Sequence, residues 1–160
     1  MDDWLKWDLK GAFRIHVPAD AATRLDDDGT TAVIQLGSGA DVSEVLMSNL
    51  PLKKVPQDRT ELALQLRDHA DDFFTRAVPK AIGHVVPFDV DVTEEPDQNL
   101  HFAQGVSVVE KSGRRIWLAR IYARQGESRF WILHWNGPKD KLETIMRIFV
   151  SFEPEESSFR

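Results

Sequence analysis

The sequence of 160 residues contains no cysteine. The chain can therefore form no disulfide, no thiolate metal site and no thiol nucleophile, which is compatible with a reducing compartment. It also lacks any apolar run near the roughly 18 residues that span a bilayer, so we expect no insertion into a membrane. The first eight residues lack the basic and apolar regions of a secretory signal. We expect a cytoplasmic protein of bacterial type.

The chain has no excess of basic residues. Its 20 lysines and arginines stand against 26 aspartates and glutamates, which gives a net charge of −6. A protein that binds the phosphate backbone needs a basic surface, so we expect no nucleic-acid partner. The basic residues that do cluster lie near predicted hairpin ends, where charge is usually solvated; they are Lys111, Arg114, Arg115, Arg120, Arg124 and Arg129.

Sequence motifs for catalysis and for metal binding are absent as well. No two histidines have the i, i+4 spacing of a zinc-binding helix, and H-E-x-x-H does not occur. There is no G-x-S-x-G nucleophile elbow and no P-loop. We therefore expect no catalytic residues, no metal, no cofactor and no enzymatic activity.

Alternation and helical spacing define the elements that are present. Phe13, Ile15 and Val17 alternate with polar residues, which predicts a strand that ends at Pro18. Residues 58–78 carry a capping-box pattern and an apolar stripe, which predicts a long helix. Further strands are predicted at 30–36, 85–93, 102–110, 115–124 and 129–135, and residues 42–55 predict a strand or an irregular segment. The last predicted element is a helix from Asn136 that carries Leu142, Ile145, Met146 and Phe149.

The length predicts one domain over residues 1–160. We expect residues 1–12 to form an N-terminal arm, in which the loose alternation of residues 4–9 also allows a short strand, and residues 153–160 to form a loose C-terminal tail. The strand at 115–124 is apolar on both faces, which requires cover on both sides of the sheet. The two amphipathic helices can supply it. The predicted fold class is α+β, an antiparallel meander with helices on both faces, an α/β/α sandwich.

Two segments carry a family resemblance: Phe13-x-Ile15-x-Val17-Pro18 and Ile145-x-x-x-Phe149-x-Ser151-Phe152. With the element order between them, the chain resembles the PsbP-like fold over about residues 13–152. That fold is shared by the photosystem II extrinsic P subunit, DcrB-type bacterial proteins and a Ran-binding import factor. The resemblance implies a binding, assembly or chaperone-like role, and it supplies no catalytic motif.

Surplus aromatic residues indicate an interaction surface. Trp4 and Trp7 lie near the start of the chain among charged residues, and exposed aromatics beside arginine are typical of protein interfaces. The predicted surface consists of Trp4, Trp7, Arg120, Arg124 and Arg129. Trp131 and Trp135, by contrast, share a strand face that a helix should cover, so we expect both in the core.

Two functional readings remain open from the sequence. The first is a non-catalytic interaction or accessory protein with an unknown protein partner. The alternative is a small-molecule-binding domain or an unrecognised enzyme, with a pocket between sheet and helix near Asp89, Asp91 and His134. Either can also form a homodimer, in which residues 129–135 or 85–93 would pair across the axis as an uncovered strand edge.

Overall fold

The computed structural model of the protein describes residues 3–26, 29–37, 39, 42–77, 84–86, 100–109 and 115–160. Their strands are β1 (Trp4–Leu9), β2 (Phe13–Pro18), β3 (Ala22–Leu25), β4 (Thr31–Leu36), β5 (Ser43–Pro51), β6 (His84–Val86), β7 (Leu100–Val109), β8 (Arg115–Arg124), β9 (Arg129–Pro138) and β10 (Glu153–Pro154). The helices are α1 (Arg59–Ala77) and α2 (Leu142–Val150), and 3-10 turns cover Lys139–Lys141 and Glu156–Phe159.

The strands form two antiparallel sheets. The large sheet has the order β3-β4-β5-β9-β8-β7-β6, and the small sheet has the order β1-β2-β10. The large sheet therefore consists of two meanders, β3 to β5 and β6 to β9, which meet where β5 pairs with β9 from Val45↔Trp135 to Pro51↔Arg129. The central strand of the small sheet, β2, has the alternation that the sequence predicts. Phe13, Ile15 and Val17 are buried, and Arg14 and His16 are exposed.

Helix α1 begins with the capping pattern that the sequence predicts. The Asp58 carboxylate accepts a hydrogen bond from the Glu61 backbone N–H at 2.8 Å. The Glu61 carboxylate in turn accepts one from the Gln57 backbone N–H at 3.0 Å, so two amides at the helix start are satisfied. Leu62 and Leu66 face the large sheet and are fully buried, as their spacing predicts.

The large sheet is covered on both faces. Leu62, Leu66 and Ala70 of α1 pack with Ile121, Ala123, Phe130 and Ile132 on one face. On the other face, α2 and the small sheet pack together over Leu118, Trp131, Leu133 and Trp135. The predicted α+β class with helices on opposite faces is confirmed, and so is the burial of Trp131 and Trp135. Neither described helix is long and apolar enough to cross a bilayer.

The predicted dimer edge at residues 129–135 is wrong. Strand β9 lies between β5 and β8 and pairs with both, so it has no free edge to offer a second copy. Local sequence pattern does not indicate this position, because the pairing between β5 and β9 joins segments that lie far apart in the chain. The alternative dimer edge was predicted at residues 85–93. Residues 85 and 86 belong to β6, the outermost described strand of the large sheet, and residues 87–93 lie outside the described residues.

At the start of the chain the structure has the short strand that the sequence allows, and the C-terminal segment is more ordered than the sequence predicts. Residues 4–9 of the expected arm form β1, which pairs with β2 along its whole length. The expected loose tail forms β10 and a 3-10 turn, and its Phe159 is buried. The Asn49 side-chain amide donates to the Ser158 carbonyl at 2.8 Å, and the Ser128 N–H donates to the Phe159 carbonyl at 3.0 Å. The tail is held because these backbone groups and one aromatic ring find partners.

Strand β9 also extends beyond its predicted end. Asn136, Gly137 and Pro138 were expected to open the last helix, but they continue the strand and pair with Trp117, Ile116 and Arg115 of β8. Helix α2 then begins at Leu142, after the turn at Lys139–Lys141. The register with β8 overrides the local turn tendency of Asn-Gly-Pro.

Candidate functional site

Trp4 occupies the junction between the small sheet and α2. It is the first residue of β1 and pairs with Pro18 of β2. Because side chains alternate along a strand, the Trp4 side chain lies on the same face of β1 as Lys6 and Asp8. The guanidinium carbon of Arg147, on α2, lies 4.0 Å from the centre of the Trp4 ring. This distance is well within cation–π range, and the contact fixes the indole against the helix.

A cleft of about 300 Å³ opens beside the Trp4 ring. Its walls are mainly apolar, and its rim carries one acidic and one basic side chain. The lining residues are Trp4, Pro18, Asp20, Leu36, Gly37, Ser43, Lys141, Thr144 and Ile145. We call it the Trp4 cleft. It joins the small sheet, the β4–β5 end of the large sheet and the start of α2, so the packing of three elements creates it.

Two exposed apolar side chains lie on the elements that carry Trp4 and Arg147, although neither lines the cleft. Leu5 follows Trp4 in β1 and is 57% exposed. Val150 lies three residues beyond Arg147 on α2, which places it on the same helix surface, and it is 69% exposed. Within the described chain, β1 pairs only with β2, so the outer edge of β1 is also open. Apolar exposure beside an open strand edge is typical of a surface that receives another chain.

Trp7 does not share this surface. It lies three residues from Trp4 on an alternating strand, and its ring packs edge-on against Phe13 at 5.3 Å between ring centres. Trp7 therefore contributes to the contact between the two sheets. The sequence could not distinguish the two tryptophans, because both lie among charged residues near the start of the chain.

The three arginines of the predicted interaction surface lie at three separate positions in the fold. The Arg120 side chain donates to Gln104 on β7 and to the Tyr122 hydroxyl. Arg129 donates to the backbone carbonyl of Asn49 at 3.1 Å and so ties β9 to the end of β5. Arg124 is buried beside Phe159. None of the three lines the Trp4 cleft.

Of the three residues predicted to form a pocket between sheet and helix, the structure describes only His134. Asp89 and Asp91 lie outside the described residues. The His134 ring lies 5.0 Å from that of Phe73 on α1, and burial lowers its pKa to about 4. His134 is therefore neutral at pH 7 and packs as part of the helix–sheet interface. It does not line the Trp4 cleft.

His69 belongs to the same helix–sheet interface. Its ring stacks on Phe130 with 4.3 Å between ring centres, and burial lowers its pKa, while Asp72 and Asp68 act in the opposite direction. Within the described ranges, no three His, Asp or Glu side chains are grouped so as to hold a metal ion.

Arg147 and Lys141 are the functional candidates that the sequence did not indicate. Both lie in or next to the helix that was predicted from 136 onwards, at exposed positions. Their spacing on the helix marks them as surface residues, but nothing in the sequence connects them to Trp4, more than 130 positions earlier. Only the packing of α2 against the small sheet brings the three together.

The comparisons with known proteins show a fold likeness. No protein-family model matches the chain, and no curated protein matches it. Among solved structures, it is similar to the Ran-binding protein Mog1p of Saccharomyces cerevisiae, with a TM-score of 0.61 and 11% identity over 100% of both chains. At that identity the likeness shows the fold alone. It agrees with the resemblance to a fold that includes a Ran-binding import factor, and it does not single out the PsbP or DcrB proteins.

Proposed function

We propose that this chain is a non-catalytic binding protein that holds a protein partner at the Trp4 cleft. The observation that carries the proposal is the Trp4 ring, which is fixed by Arg147 at 4.0 Å and forms one wall of an open, mainly apolar cleft. Tryptophan and arginine are the residue types enriched among interface hot spots. A pre-fixed indole also loses little side-chain entropy on binding.

The chemistry of the cleft selects the kind of partner. Trp4, Pro18, Leu36 and Ile145 favour an apolar side chain. Lys141 at the rim offers a cation to an acidic residue of a partner, and Asp20 is the carboxylate among the described lining residues. The partner that fits is a protein segment with an apolar anchor and an acidic residue beside it.

An accessory or chaperone-like role is the broader form of this proposal. Mog1p, whose fold this chain shares, is a Ran-binding protein. A similar fold can carry unrelated functions, so this likeness supports a binding role by analogy only. The chain's own support is the Trp4 ring held by Arg147, together with the exposed Val150 on the same surface of α2 as Arg147.

Site-specific photo-cross-linking tests the proposal. A benzophenone side chain in place of Thr144 lies in the Trp4 cleft, and the same group in place of Leu64 reports on the exposed face of α1. We expect one protein to cross-link from position 144 in host cells, with far less from position 64, and we expect Trp4→Ala to abolish the cross-link.

Affinity for the captured protein gives the quantitative check. Trp4→Ala should weaken binding about 30-fold or more, as for a central hot spot. Leu64→Ala removes an exposed apolar side chain at a distant site and should leave the affinity within about twofold. Equal cross-linking at both positions, or unchanged affinity of Trp4→Ala, would show that the cleft is not the binding site.

A further inference from the structure

Arg124 is a buried arginine with an incomplete set of partners. Its relative exposure is 9%, although it lies at the last position of β8. One terminal nitrogen, Nη1, forms an ion pair with Glu156 at 3.3 Å, and the ring of Phe159 lies 5.8 Å from the guanidinium carbon. The Nε–H is buried and has no hydrogen-bond partner. A buried guanidinium donor without an acceptor is costly, so the arrangement requires an explanation.

A second cleft, of about 260 Å³, opens in front of this guanidinium. It is lined by Arg14, Arg124, Glu153, Pro154, Glu155, Glu156 and Phe159. We call it the Arg124 cleft. Pro154 and Phe159 give it an apolar floor, and charged side chains surround the opening. In the described part of the chain, a buried arginine with one unpaired donor thus lines an open cleft.

The carboxylate that pairs with Arg124 is held weakly. The Glu156 side chain is 68% exposed, and it engages Nη1 while leaving Nε unused. An arginine binds a carboxylate best through two parallel N–H donors, which the present contact does not provide. Arg14, the other cation of the cleft, lies 3.9 Å from Glu153 in a similarly long and exposed pair. Both glutamate side chains are largely exposed, so an incoming carboxylate can replace either of them without leaving the arginine unpaired.

We propose that the Arg124 cleft is a binding site for a carboxylate group, and that Glu156 occupies it as an internal stand-in. An incoming carboxylate displaces Glu156 and takes both the Nε–H and one Nη–H of Arg124. The displaced Glu156, together with Glu153 and Glu155, then lies close to the ligand. These three carboxylates exclude a polyanion and favour a ligand that carries a positive charge beside its carboxylate.

Two sources can present this chemistry: a glutamate side chain in a peptide, or a small free acid. The probes are therefore the capped dipeptide acetyl-Glu-Lys-amide, which carries one carboxylate and one ammonium, and sodium acetate. The readout is the ¹⁵N-¹H signal of the Arg124 Nε–H group, assigned by its loss in Arg124→Lys. Sodium chloride at equal ionic strength serves as the reference for screening.

We expect the dipeptide to move this signal saturably and to do so at lower concentration than acetate. Glu156→Gln should tighten binding of the dipeptide about fivefold, because the competing ion pair is removed. Glu143→Gln, at an exposed position of α2, should change nothing. Stronger binding of acetate than of the dipeptide would assign the site to small free acids.

The proposal is overturned if the Nε–H signal moves no further with either probe than with sodium chloride, and if this holds for the native chain and for Glu156→Gln alike. Arg124→Lys keeps the positive charge but loses the two-donor fork, and it should bind the dipeptide at least several-fold more weakly. Equal binding by Arg124→Lys would also contradict a two-donor site. These outcomes do not depend on the Trp4 cleft, so each proposal can fail independently.

Discussion

The guanidinium of Arg147 stacks on the indole of Trp4 with 4.0 Å between its carbon and the ring centre. The contact joins the first described strand to the last helix. The two tryptophans of β1 therefore have different roles. Trp4 holds the surface where α2 meets the small sheet, whereas Trp7 packs on Phe13 between the two sheets.

Alanine substitutions should therefore separate stability from binding. Trp7→Ala removes an edge-to-face aromatic contact and part of the inter-sheet core, so we expect a loss of about 2 to 3 kcal/mol in the free energy of unfolding. Trp4→Ala removes a partly exposed cation–π contact and should cost about 1 kcal/mol. Chemical denaturation of both variants measures the difference. A larger loss for Trp4→Ala would contradict the assignment of the two roles.

The C-terminal segment should prove to be a structural part of the fold. Phe159→Ala empties a fully buried aromatic site and should lower the free energy of unfolding by about 3 to 5 kcal/mol. Ser157→Ala, two positions earlier and exposed, provides the control and should stay within about 0.5 kcal/mol of the native chain. Thermal denaturation gives the comparison. Similar melting temperatures for the two variants would show that the segment is loose after all.

The failure to predict this segment has a physical cause. The segment 155–160 is short, mostly polar and without periodicity. Its ordered structure depends on partners far away in the sequence. The Trp131 indole N–H donates to the Ser158 hydroxyl at 2.9 Å, and the Glu155 N–H donates to the Ala12 carbonyl at 2.8 Å. Local pattern cannot reveal such bonds. It did reveal β2, α1 and the core face of β9, because their signals repeat within a few residues.

The candidate sites show the same division. Residue type alone selected Trp4 and Arg124, which the structure places in two separate clefts. Residue type could not tell that Trp7 faces the other way, or that Arg147 and Glu156 are the partners, because both contacts span more than 30 positions. Sequence reasoning thus identified chemically suitable side chains and could not identify their neighbours.

His134 should make the fold sensitive to acid. Burial lowers its pKa from 6.5 to about 4, and its surroundings include Phe73 of α1 and the paired Leu46 and Ala119. Between pH 6.5 and 4 the unfolded chain binds a proton at this residue that the folded chain does not, so stability falls as pH falls. The shift corresponds to about 3 kcal/mol across that window.

Replacement of His134 isolates this effect. His134→Leu should flatten the decline in the free energy of unfolding between pH 6.5 and 5, the part of the window least affected by carboxylate titration. His16→Gln replaces an exposed histidine of β2 and should keep the decline. Urea denaturation at several pH values measures both. An unchanged slope in His134→Leu would assign the acid sensitivity to other groups.

The extension of β9 through Gly137 gives the final prediction. A Cβ at position 137 would overlap Cζ2 of the Trp135 ring and lie 2.9 Å from its Cε2. Trp135 is fully buried and its indole N–H donates to the Ser43 hydroxyl at 3.1 Å, so the ring cannot move aside freely. Gly137→Ala should therefore destabilise the fold by about 2 kcal/mol through overpacking.

A double-mutant cycle separates this clash from a general strand defect. Trp135→Phe shortens the ring, so Gly137→Ala should cost much less in that background, and the two changes should show a coupling of about 1 kcal/mol or more. If the methyl group merely disturbed the strand, the two costs would add without coupling. The cycle thus tests whether glycine is required here by the tryptophan beside it or by the turn that Asn-Gly-Pro suggests in the sequence.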